Sequence, residues 1–120
     1  MEVELDAFSG RPNPRWMLTE AQAMEFLALL RKLSPAQVGL PTSSGLGYRG
    51  FILRANGGAL GPYEEVRINR GIVFARRGDA EETLADPQRN LERWLVASAR
   101  GHIDEPVLKH VQNEIRREIK

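Results

Sequence analysis

Two arginines and an indole are set among prolines near the start of the chain, where Phe8 to Leu18 reads Phe-Ser-Gly-Arg-Pro-Asn-Pro-Arg-Trp-Met-Leu. Gly10 relaxes the backbone, Pro12 and Pro14 restrict it, and Asn13 before a proline favours turn or extended geometry. A segment stiffened in this way has little conformational entropy left to lose when it meets a ligand. Arg and Trp are also the side chains that dominate binding hot spots, and the planar guanidinium fork matches carboxylates and phosphates. The chemistry expected of Arg11, Asn13, Arg15 and Trp16 is recognition of an anionic or carboxylate-bearing group. Tyr48 and Arg49 join them as ligand-binding candidates if the second glycine-rich turn lies at the same end of the sheet. The competing expectation puts Trp16 in the core and pairs the arginines with the acids of the first strand.

Those acids are the second candidate. Glu2, Glu4 and Asp6 alternate with Val3, Leu5 and Ala7, which places three carboxylates on one strand face at intervals of about 7 Å. They repel one another unless cations sit nearby. Used as catalytic carboxylates, they suggest a small hydrolase or metal-dependent enzyme. The segment has no histidine, so arginines from neighbouring strands, with Arg49 and Arg67 as candidates, fit better than a metal.

A third candidate is nucleic-acid binding through Arg76, Arg77, Arg116 and Arg117. The net charge of +1 supplies no field that would draw the whole molecule onto a polyanion. The basic residues of the last helical turn also suit the negative end of a helix dipole. Both points weigh against nucleic acid.

Other chemistries lack their residues or their context. No cysteine is present, which excludes disulfides, zinc thiolates and thiol nucleophiles. His102 and His110 are not at i, i+4 spacing, and His102, Asp104 and Glu105 read as ordinary surface with Asp104 a helix cap. Gly45-Leu-Gly-Tyr-Arg-Gly50 matches a dinucleotide fingerprint, but Phe51-Ile52-Leu53 continues it as a strand where a helix is required. Ser9 lacks a Gly-x-Ser-x-Gly elbow. No cofactor and no metal is expected.

The elements that must carry these residues follow from periodicity. Strand one spans the alternation from Glu2. Thr19, with Gln22 three residues on, forms a capping box for a helix whose apolar residues, Ala23 to Leu33, cover more than one stripe and suggest burial on most sides. Phe51 to Arg54, Glu64 to Asn69 and Ile72 to Ala75 read as an antiparallel meander joined by Asn56-Gly57-Gly58 and Asn69-Arg70-Gly71. Residues 79–85 fit either a loop or a further strand. Asp86-Pro87 starts a helix with Leu91, Trp94, Leu95 and Ala99 inward, and Asp104 caps a last helix with a stripe at Val107 or Leu108, Val111, Ile115 and Ile119.

The fold expected over residues 1–120 is one α+β domain, a mainly antiparallel four-stranded sheet in the order β-α-β-β-β-α-α with helices packed against it. At the N-terminus acids stand where a secretory signal carries basic residues, and the longest apolar run, Phe26 to Leu30, is too short to span a bilayer. A cytoplasmic protein away from membranes is expected. The function expected is a small binding or protein-interaction module whose partner is a protein or a small anionic ligand, as monomer or homodimer.

Overall fold

Val3 and Leu5 point to one side of the first strand and Glu2 and Glu4 to the other, and this alternation decides which face of the sheet the helices cover. In the computed structural model, which describes residues 1–6, 12–36, 50–55 and 60–118, the strand is β1, Glu2–Leu5. It pairs on one side with β2, Arg15–Met17, and on the other with β4, Phe51–Arg54. The meander continues through β5, Glu65–Asn69, and β6, Ile72–Arg77, to β7, Ala80–Ala85, beside which lies the two-residue β3, Ser34–Pro35. The sheet order is β2-β1-β4-β5-β6-β7-β3, and every neighbouring pair is antiparallel.

The fold is α+β with an antiparallel sheet, but the sheet has seven strands among the described residues where four were expected. The additional strands are those with the weakest local signal. β2 follows Pro14, β3 contains a proline, and β7 reads Ala-Glu-Glu-Thr-Leu-Ala; β2 and β7 become strands because β1 and β6 supply their hydrogen-bond partners, and β3 forms in turn on β7. The β5–β6 hairpin turns on Arg70 and Gly71, both at positive φ (52° and 79°), as a two-residue turn of this hand requires.

Among the described residues three helices cover one face. α1, Glu20–Arg31, begins on the expected capping box: Gln22 N–H donates to Thr19 Oγ1 at 3.1 Å, and Thr19 N–H donates to Gln22 Oε1 at 2.9 Å. It buries Ala23, Phe26 and Leu30, with Phe26 against Trp94 of the second helix, and leaves Met24 70% exposed, so it is a surface helix and is not enclosed on most sides. α2, Asn90–Ser98, starts later than Asp86-Pro87 suggested. The chain first makes a turn, with Arg89 N–H donating to the Asp86 carbonyl, and the Asp86 carboxylate then accepts the Leu91 N–H at 2.8 Å. α3, Glu105–Glu118, buries Leu108, Val111 and Ile115; Ile119 lies outside the described residues. Val3, Leu5, Phe51, Leu53, Val66, Ile68, Val73 and Ala75 meet the helices in one continuous core. Among the described residues no helix is long and apolar enough to cross a membrane.

Candidate functional site: the open face of the sheet

With the helices on one side, the outward-pointing residues of β1, β2 and β4 to β7 share the other. The register places Met17, Glu2, Arg54, Glu65, Arg76 and Glu81 in one row across the strands, and Arg15, Glu4, Ile52, Arg67, Phe74 and Thr83 in the next. The first row is a ladder of alternating charge. Arg54 Nη1 is 3.7 Å from Glu2 and its Nε is 3.4 Å from Glu65, while Arg76 reaches Glu64 at 3.0 Å and Glu65 at 3.9 Å. A shallow groove of about 750 Å³ opens over one end, floored by Glu2, Arg54, Glu65 and Arg76 and walled by Met1, Met17, Ala55 and Glu64.

Glu4 is the most constrained acid on this face. It is 7% exposed and accepts from Asn13 Nδ2 at 2.9 Å and from Arg54 Nη1 at 2.9 Å, with Arg15 Nη2 at 3.3 Å. The Asn13 hydrogen bond first, and Arg54 and Arg15 after it, hold its carboxyl below the ordinary carboxylate range, against the opposing effect of burial. The hydrogen bond to Glu4 in turn raises the Arg54 guanidinium above its usual value. A carboxylate kept ionised by three donors is a poor general acid, and its lowered basicity makes it a poor base. The arrangement therefore gives the strand-one enzyme reading no support. The cations that quiet strand one are Arg15 and Arg54; Arg67, one of the two expected, reaches Glu65 at 3.3 Å, and Arg49 lies outside the described residues.

The six ligand-binding candidates separate. Arg11, Tyr48 and Arg49 lie outside the described residues. Asn13 spans Glu4 and Asp6, its Nδ2 being 3.4 Å from Asp6 Oδ1, and Arg15 remains 59% exposed at the margin of the face. Trp16 points the other way. It is 4% exposed, its edge meets Phe51 (6.3 Å, 88°), its face lies along His102 (6.4 Å, 15°), and its Nε1–H donates to Ser98 Oγ at 3.2 Å. The indole thus pins the proline-rich segment to α2, and the arginine beside it is left outward because successive strand residues alternate.

Arg54, Arg67 and Arg76 were not read from the sequence as one surface with Arg15. Phe51 and Leu53 facing inward would have turned Ile52 and Arg54 outward, but their meeting with Glu2 and Glu4 depends on β4 pairing with β1 across 50 residues, which periodicity does not reveal. Of the nucleic-acid candidates, Arg76 pairs with Glu64 and Glu65 and Arg77 with Glu82 at 3.8 Å, while the Arg116 and Arg117 side chains lie outside the described residues.

The chain matches no protein-family model, no curated protein and no solved structure, so its function has to be read from this geometry alone.

Proposed function

We propose that the protein is a small interaction module that recognises a carboxylate-bearing protein partner through the open face of its sheet, with Arg15 and Arg67 as the reading residues. The observation that carries this is their exposure. Arg15 and Arg67 keep 59% and 61% of their side chains in solvent, and each ion pair of theirs engages a single nitrogen. The guanidinium donors left over can take a second carboxylate in a planar, directional contact. Met17, 61% exposed, and the half-buried Ile52, Ile72 and Phe74 supply apolar contact between them. Arg11, next in sequence to the rim that Asn13 and Arg15 form, and Tyr48 and Arg49, just before Gly50, are proposed contributors.

The edges of the sheet are less suited to this role. β2 is three residues long and follows Pro14, and β3 is two residues long and ends in Pro35; short, proline-blunted edges resist addition of a further strand.

A glutamate-rich peptide titrated into labelled protein provides the test, with backbone amide shifts as the readout. Shifts confined to β1, β2, β4 and β5, and lost in Arg15→Ala/Arg67→Ala, are the expected result. The absence of shifts at millimolar peptide, or shifts that the double variant leaves unchanged, overturns the reading.

A further inference from the structure

Turned over, the charge ladder of the open face matches itself. At one level across β1, β4, β5, β6 and β7 stand Glu2, Arg54, Glu65, Arg76 and Glu81, so the sign changes at every strand. Consider a two-fold axis lying along the strands between β5 and β6. It lays β5 over β6 of a second copy and β4 over its β7. Glu65 then meets Arg76 of the second copy, Arg54 meets Glu81, and both contacts recur by symmetry. At the next level the same operation lays Arg67 over the ring of Phe74, a cation–π arrangement.

Other placements fit less well. An axis on the line of any one strand sets like charges opposite each other. An axis between β4 and β5 keeps the ladder complementary but presses Glu4, already ionised and only 7% exposed, against Phe74, which removes water from a charge without giving it a new partner.

We propose that the carboxylate-bearing partner of this face is a second copy of the chain, docked face to face about the axis between β5 and β6. This rests on the open face being an interaction surface, as above, and names its occupant; Arg54 and Arg76 then take the carboxylates, while Arg67 lies against Phe74 and Arg15 stands outside the four facing strands. Aligned sheets cross at roughly 30°, so the central Glu65–Arg76 contacts are the closest and Arg54–Glu81 sits at the rim. Most of the ladder is accessible for this: the Arg54 and Arg76 side chains are 41% and 44% exposed and Glu81 is exposed, while Glu65, 17% exposed, offers one edge of a carboxylate already held by Arg54, Arg67 and Arg76. Four strands by about five residues give a footprint of roughly 19 by 17 Å per copy, about 650 Å² over both copies and below the standard size of a specific interface, so a weak, salt-sensitive dimer in the upper micromolar range is expected.

Sedimentation equilibrium from about 1 to about 300 µM, a range that brackets a micromolar dimer, tests it at low salt. The expected wild-type mass rises toward twice 13.5 kDa. Arg76→Glu and Glu65→Arg alone should each weaken association by about tenfold or more. Mixed in equal amounts they should restore it, because every facing pair is then opposite in sign. Glu81→Arg, which disturbs no ion pair seen among the described residues, should weaken the dimer likewise and serves if Glu65→Arg fails to fold. A wild type that stays monomeric at the highest concentration, or a dimer indifferent to Glu81→Arg, overturns the inference. A monomeric wild type that still shows the peptide-induced shifts rejects the second copy alone, whereas loss of those shifts rejects the interaction face itself.

Discussion

Arg89 with Glu92 and Arg76 with Glu64 are both arginine–glutamate pairs, held at 2.6 and 3.0 Å, and they stand in opposite surroundings. Arg89 and Glu92 are 3% and 0% exposed. Their contact is forked, Arg89 Nε to Glu92 Oε1 at 2.9 Å and Nη2 to Oε2 at 2.6 Å, and the same carboxylate accepts the Gly71 N–H at 2.7 Å while Arg89 Nη1 reaches the Ile115 carbonyl at 3.4 Å. One ion pair therefore ties the β5–β6 turn, the start of α2 and the last turns of α3. Arg76 and Glu64, 44% and 59% exposed, tie together nothing that the sheet does not already hold. Desolvated charge joins elements because it has nowhere else to go; solvated charge leaves its groups free to exchange partners, which is what a contact surface needs.

The geometry at the buried end also imposes backbone conformations. Arg89 sits in the left-handed region at φ 57°. Gly71 does so at 79°, where an added Cβ would lie 2.8 Å from the Asp86 carbonyl oxygen. A non-glycine residue held at positive φ carries strain that its surroundings must offset. Here the forked bond to Glu92 supplies the offset.

Substitutions can sharpen this contrast. The largest effect is expected from Glu92→Leu, which takes the forked carboxylate away from the buried Arg89 guanidinium. Urea denaturation should show a loss of about 3–5 kcal/mol, and Arg89→Met/Glu92→Leu should lose less than the single change. If the single change costs under about 1 kcal/mol, the pair is not desolvated as described. Glu4 is intermediate, nearly buried but on the open face. Glu4→Gln should cost about 1–3 kcal/mol, and the loss should depend on pH. Its folded pKa is lowered from 4.5, so its contribution is complete above the ordinary carboxylate range and fades as pH falls through the lowered folded value. Thermal midpoints measured from neutral pH down through that range should fall more steeply for wild type than for Glu4→Gln; parallel curves would contradict the assignment. The smallest effect belongs to Glu64→Gln, which should change stability by no more than about 0.5 kcal/mol and less still at high salt. A larger urea shift there would mean that the Arg76–Glu64 pair is structural and not the solvated contact described.

How much could be read from the chain depended on whether an element carried its own signal. The capping box at Thr19 and Gln22, the alternation of β1, the Asn69-Arg70-Gly71 turn and the apolar stripe of α3 are local patterns, and the elements stand where those patterns put them. β2, β3 and β7 carry little pattern of their own and exist as strands through their neighbours. The face of Trp16 is a similar case. Its residue type allowed core or contact equally, and α2, far along the chain, decided the matter by offering Ser98 Oγ.

Arginine side chains illustrate the division most plainly. Sequence determined their number, their dominance over lysine and, within each strand, which of them alternate outward, because period two is a property of the backbone alone. It could not determine that Arg89 would be enclosed while Arg67 stays 61% in solvent. Burial of a charge depends on whether a carboxylate, an amide and a carbonyl converge on it from other segments, and that convergence is made only when the β5–β6 turn, α2 and α3 meet. The charge ladder has the same origin: each strand contributes one sign by local alternation, and the order in which the strands pair turns those signs into a surface.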